Sequence, residues 1–219
     1  MESDRIGLRV LAGAGAVVLI VEGLRTAAMS LGFGPHLWAV GLARLLEILG
    51  LVLVVSTGGR GLVDLGLEGR RWQQGLKTGL KWSAVFGFCA AAGLLGLAAF
   101  GLSPGQVLGG RMPAELYRLV LMMVVGGFLA PVAEEMFFRG VLYGFLRRWG
   151  VLPGLMVSTL VFVLAHGSVP GPPPVTQAVG GLVFGLAYEK TGNLMVPITI
   201  HVLGNLAIFT LLIWFSSRI

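Results

Sequence analysis

The stretch PVAEEMFFRG, residues 131–140, sets two adjacent glutamates and an arginine inside an almost wholly apolar run. Residues four apart share a helix face, so Glu135 and Arg139 can pair, while Glu134, turned about 100° away, points elsewhere. One carboxylate is braced and one is free. Two further runs carry polar groups at helical spacing: FVLAH puts Phe162 and His166 on one face, and HVLGN does the same for His201 and Asn205. Ionisable groups inside such runs cost about 3 kcal/mol each on insertion scales, so they face a protein interior and mark a site.

Depth ties the three runs together. Counting from the inside-facing ends at roughly 1.5 Å per residue, Glu134 lies about 13 residues from Arg147, His166 about 14 from Leu152 and Asn205 about 13 from Gly192. All three therefore fall roughly 20 Å from the same face. A carboxylate removed from water holds a proton more firmly, which suits it to act as a general base toward water, with an imidazole holding that water. An imidazole and an amide on one face could instead donate hydrogen bonds to an oxygen that turns negative as a carbonyl is attacked. Together they describe hydrolysis of an amide or ester within a membrane. No serine or cysteine nucleophile is well placed: Ser158 lies two turns before His166, and Cys89 has no paired base in its own helix. Plainer readings of the same residues are buried ionic ties for Glu134 and Glu135, an interfacial histidine for His166, and polar glue between helices for His201 with Asn205.

The elements that must position these groups are membrane spans. Of 219 residues, 56% are hydrophobic and 12% charged, and the mean hydropathy is +0.88. A soluble domain would expose much of that surface to water, whereas lipid accepts it. Apolar windows of about 20 residues, separated by charged or Gly/Pro-rich breaks, predict about seven spans, with six to eight as the bounds. They fall at 8–29, 36–56, 80–102, 117–147, 152–166, 175–190 and 194–216. The expected fold is an all-α polytopic bundle, one integral-membrane domain over 1–219. The fourth segment is too long for a simple crossing and continues past the membrane at Arg147 and Arg148. The fifth and sixth are short and separated by GSVPGPPP, whose prolines lack donors. Pro131 should kink the fourth helix just before the glutamates. Gly126, Gly127, Gly180, Gly181 and Gly185 read as close helix contacts.

The net charge of +6 is scattered over short connections and forms no stripe or arm, so no nucleic-acid partner is expected. The basic residues read as topology signals. An N-terminus inside gives the inner segments Arg5, Arg9, Arg60, Arg70, Arg71, Lys77, Lys81, Arg147, Arg148 and Lys190, and the outer ones Arg25, Arg111, Arg118 and Arg218. The cluster from Arg60 to Lys81 is expected against anionic headgroups, with RRWQQGLKTGLKW as an amphipathic segment ahead of the third span. Arg5 and Arg9 before an apolar run, with TAAM beyond it, also resemble a cleaved signal; Glu22 and Arg25 interrupt that pattern, and a retained first span is expected. Arg44, Glu47 and Glu22 form an expected internal salt-bridge network. Cys89, the one cysteine, precludes an intramolecular disulfide and is expected to pack.

EEMFFR (134–139), FVLAH (162–166) and HVLGN (201–205) match EExxxR, FxxxH and HxxxN in that order. The chain from about 117 to 217 thereby resembles the CPBP family of intramembrane proteases, also called the Abi or type II CAAX prenyl endopeptidase family. The first hundred residues carry no signature of it. The resemblance implies an endopeptidase of membrane-associated or lipidated peptides. In it Glu134 activates water, His166 helps to bind that water, and His201 with Asn205 stabilises the oxyanion. Glu135 and Arg139 order the site, and Phe162 walls it. Eukaryotic members remove the last three residues of prenylated CAAX proteins; prokaryotic members include peptide-processing enzymes and self-immunity proteins. The family is often labelled a metalloprotease, and Glu134, His166 and His201 could make a His2Glu zinc site. HExxH is absent, however, and Asn205 beside His201 suits hydrogen-bond donation better, so no metal cofactor is expected. The expected partners are membrane lipid and a peptide or lipidated protein, in a prokaryotic inner membrane with the N-terminus cytoplasmic. A peptide-binding scaffold or immunity protein, or a small proton-coupled transporter, is the alternative from another class.

Overall fold

A computed structural model describes residues 6–33, 36–102, 112–166 and 175–216. Among them the regular elements are seven helices and no strand. They are α1 (Leu8–Ala28), α2 (Leu37–Gly58), α3 (Trp72–Ala99), α4 (Leu116–Trp149), α5 (Val151–His166), α6 (Val175–Thr191) and α7 (Met195–Ser216). The proline-rich connection 167–174 and the charges Arg5, Arg111 and Arg218 lie outside the described residues. α1 through Phe33, α2, α3 with the turn before it, α4 and α7 are long and apolar enough to cross a membrane; α5 and α6 have only 16 and 17 residues. The protein is an integral membrane protein built as a polytopic helical bundle.

α4 runs through the centre and touches α1, α2, α5, α6 and α7. It is not a uniform helix. Its hydrogen-bond register widens to π turns at Val125–Leu129 and Met136–Tyr143, on either side of the segment Ala130–Glu135. The first widened turn falls just ahead of Pro131, whose missing N–H disturbs the α ladder as the sequence predicts. α4 ends at Gly150, where φ is 119°, a conformation that favours glycine.

Missing side chains set the helix spacing. A Cβ at Gly185 or Gly181 of α6 would stand 2.6 Å from Leu155 or 2.8 Å from Thr159 on α5. α3 closes on α7 at Gly75 and Gly79, where a Cβ would meet Asn193 and Thr199 at 2.6 Å. These contacts explain why α3 begins eight residues before the expected 80: the segment Trp72–Gly79 is packed on α7's first turns and is continuous with the span, not a separate surface helix. The connection 59–71 tucks beneath the α6–α7 turn, where Tyr188 donates to Leu65 O at 3.0 Å. One expectation needs correction. Cys89 is exposed on α3, because α3 packs on the bundle along its first half and beyond Phe86 nearly every residue is exposed.

Candidate active site

The three polar runs converge. Glu134 and Glu135 end the α-helical segment of α4, His166 is the last residue of α5, and His201 lies in the second turn of α7. The Glu134 carboxylate Oε2 stands 3.5 Å from His166 Nε2 and 3.8 Å from His201 Nε2. Its side chain keeps 13% exposure, and that of His166 keeps 27%. The cluster is therefore reachable, unlike the groups behind it.

Each histidine has its other nitrogen committed. His166 Nδ1 lies 2.8 Å from Phe162 O, a carbonyl that can only accept, so Nδ1 carries the proton. His201 Nδ1 lies 2.8 Å from Glu135 Oε1 and donates to it. In the neutral rings both Nε2 atoms then present lone pairs toward an acidic oxygen. Three acceptors facing one another at 3.5–3.8 Å require donors between them, and a water molecule supplies two O–H bonds.

Glu135 is the hub behind this cluster. Fully buried, it accepts from Arg139 Nη1 at 2.7 Å and from His201 Nδ1 on the same oxygen. Arg139 is buried in turn, donates to Gly181 O at 3.3 Å, and lies 4.5 Å from the Phe162 ring and 5.2 Å from the Phe184 ring. Aromatic faces and one carboxylate thus hold the guanidinium, and the guanidinium holds the carboxylate that aims His201. Phe162 does more than wall the site: its carbonyl fixes His166 and its ring lies under Arg139. Asn205, one turn beyond His201, directs its amide Nδ2 to Gly126 O at 2.8 Å.

Sequence reasoning missed Phe184, which stacks on His201 with centroids 4.6 Å apart and planes 22° apart. An aromatic between Gly181 and Gly185, beside the glycines that bring α6 close to its neighbours, was the available signal. It also missed the Glu135–His201 link, which joins separate helices. The expected network on α1 and α2 forms: Arg44 reaches Glu22 at 2.8 Å and Glu47 at 2.6 Å, and Arg25 reaches Glu22 at 2.6 Å.

Glu134, His166 and His201 have the chemistry of zinc ligands, and each histidine's second nitrogen is bonded as metal-bound histidines usually are. As placed, though, no three His, Cys, Asp or Glu side chains among the described residues are arranged to hold a metal ion. The donor types fit and the arrangement does not.

Comparison with known proteins bears on the same segment. Residues 116–207 match the family model described as Type II CAAX prenyl endopeptidase Rce1-like. The "Membrane-embedded CAAX protease MroQ" of Staphylococcus aureus (strain USA300) is 38% identical over 93 residues, 38% of this chain and 37% of that protein. An "Uncharacterized 24.3 kDa protein" of Escherichia coli is 28% identical over 87 residues, 38% of this chain and 40% of that protein. The chain thus spans about two-fifths of the length of the curated relatives it matches. No solved structure matches it.

Proposed function

We propose, taking residues 116–207 as the Rce1-like type II CAAX prenyl endopeptidase domain that they match, that the protein is an intramembrane endopeptidase whose water is activated by Glu134. The observation that carries this reading is the meeting of one carboxylate and two imidazoles from three helices at 3.5–3.8 Å. A water held there donates one hydrogen to Glu134 and one to His166 Nε2. Its oxygen attacks the peptide carbonyl carbon, Glu134 takes the proton, and the same proton passes to the departing nitrogen as the C–N bond breaks. His201, braced by Glu135, lies on the side of the oxygen that becomes negative and would donate to it when both ring nitrogens carry protons. The Asn205 N–H not bonded to Gly126 is the second donor. Arg139, Glu135, Phe162 and Phe184 hold this geometry without touching substrate.

The substrate we propose is a membrane-associated or lipidated peptide that enters from the bilayer, in a prokaryotic inner membrane with the N-terminus cytoplasmic. Arg147 of α4 pairs with Glu189 of α6 at 2.9 Å, so the basic ends of these helices share one face, in keeping with the positive-inside pattern. We propose that no metal takes part.

The test uses purified protein in detergent micelles, where no gradient can drive transport, with a quenched-fluorescent prenylated CAAX peptide and an unprenylated apolar peptide. Cleavage of either is expected, to be abolished in Glu134→Gln and retained in strong chelator. Wild-type cleavage by Glu134→Gln would remove Glu134 as the base. Loss in chelator, restored by zinc, would make Glu134, His166 and His201 ligands instead. Binding of peptide without cleavage would favour a scaffold.

A further inference from the structure

Asn205 is turned onto the backbone of α4, and the carbonyl it meets is short of a helical donor for two separate reasons. In an α-helix Gly126 O would accept from the N–H of Ala130, but the widened turn Val125–Leu129 gives that N–H to Val125 O. In the widened register its partner would be residue 131, which is proline and has no N–H. A carbonyl left without a donor inside an apolar bundle is costly. Asn205 Nδ2 fills the gap at 2.8 Å.

The approach this needs is written into the same turn. A Cβ on Gly127 would stand 2.6 Å from Leu206 of α7, and one on Gly126 would stand 3.2 Å from the Phe209 ring. With neither present, α7 comes close enough for a short amide to reach the main chain. One turn back along α7, His201 then meets Glu134 and Glu135.

We propose that Asn205, besides the donor role read for its remaining N–H, is a positioning residue. Its amide replaces the hydrogen bond that Pro131 and the widened turn withhold from Gly126, and so locks α7 to α4 in the register that sets His201 against Glu134 and Glu135. Proline, glycine pair and asparagine form one device. Its catalytic consequence rests on the reading of that layer as a reaction centre; the lock itself is testable without catalysis.

Pro131→Ala returns an N–H that can reach Gly126 O, so it should make Asn205 dispensable for the lock. Four full-length forms in detergent are compared: wild type, Asn205→Leu, Pro131→Ala and the double variant. Thermal unfolding reports the lock. The 15N resonances of the His201 imidazole report its contact with Glu135, which a general loss of packing elsewhere would not move. Asn205→Leu is expected to lower Tm by about 5 °C and to shift the His201 Nδ1 signal. In the Pro131→Ala background the same replacement should cost at most about half as much, with the His201 signal near its wild-type position. Should Asn205→Leu alone fail to fold, recovery of folded protein in the double variant has the same meaning. Equal losses in both backgrounds, or a His201 signal that Asn205→Leu leaves unmoved, would overturn the proposal. Proteolysis stands or falls separately on Glu134→Gln, which leaves this lock intact.

Discussion

Two clusters of acids and arginines lie within the spans among the described residues, one between α1 and α2 and one between α4 and α7, and they are matched differently. Between α1 and α2 every carboxylate has a guanidinium: Glu22 has Arg25 and Arg44, and Glu47 has Arg44. Between α4 and α7 Glu135 has Arg139, but Glu134 faces imidazoles. The first cluster pairs its charges within α1 and α2, with Arg44 also within electrostatic reach of Glu134. The second leaves one carboxylate able to exchange a proton with something that enters. Burial of charge alone therefore does not mark a reaction centre; a carboxylate left to weaker bases does.

The sharpest way to break that contrast is to neutralise one acid in each cluster. Glu134→Gln should lower turnover by ~10²–10⁴, whereas Glu47→Gln should leave it within about twofold, measured per folded molecule on the same peptide. Comparable losses in both would erase the distinction. Removing the arginines comes next. Arg139→Met strands a fully buried Glu135 and should cost about 3–5 kcal/mol in reversible unfolding, with turnover falling as well because His201 loses its brace. Arg44→Met strands the buried Glu47 at a similar cost of about 3–5 kcal/mol and removes a charge within reach of Glu134, so the molecules that remain folded should lose less turnover than those of Arg139→Met. Phe184→Leu takes away the ring stacked on His201 and should lower kcat about fivefold, a loss of ~1 kcal/mol, with the fold kept. Least of all, Arg25→Gln should change stability by about 0.5 kcal/mol or less and activity not at all, since Glu22 keeps Arg44.

Both clusters were visible in the sequence as charges within apolar runs, and for Glu134, His166 and Asn205 a residue count also gave a common level. Depth is a count of residues at a fixed rise, which a chain states directly. Rotation about each helix axis is another matter. In helices that are apolar on nearly every face, periodicity does not say which side turns toward which neighbour, and the π turns flanking Ala130–Glu135 shift the phase again. The Glu135–Arg139 pair could be foreseen because it lies within one helix. The bonds from Glu135 to His201 and from Asn205 to Gly126, and the stack of Phe184 on His201, join separate helices and could not. The start of α3 was misplaced for a related reason: a polar first turn reads as surface until Gly75 and Gly79 are seen against Asn193 and Thr199.

The brevity of α5 has a consequence for how reagents reach the centre. Sixteen residues rise about 24 Å, some 6 Å less than a typical hydrocarbon core of about 30 Å. The start of α5 is tethered through Gly150 to the basic end of α4, so the shortfall falls at its other terminus, beside His166. A helix shorter than the hydrocarbon core is matched by thinning of the bilayer or by hydration at its end. On the proposed reading the imidazole at the end of so short a helix lies where water can reach it, while an acylated or apolar chain would arrive sideways through the surrounding lipid.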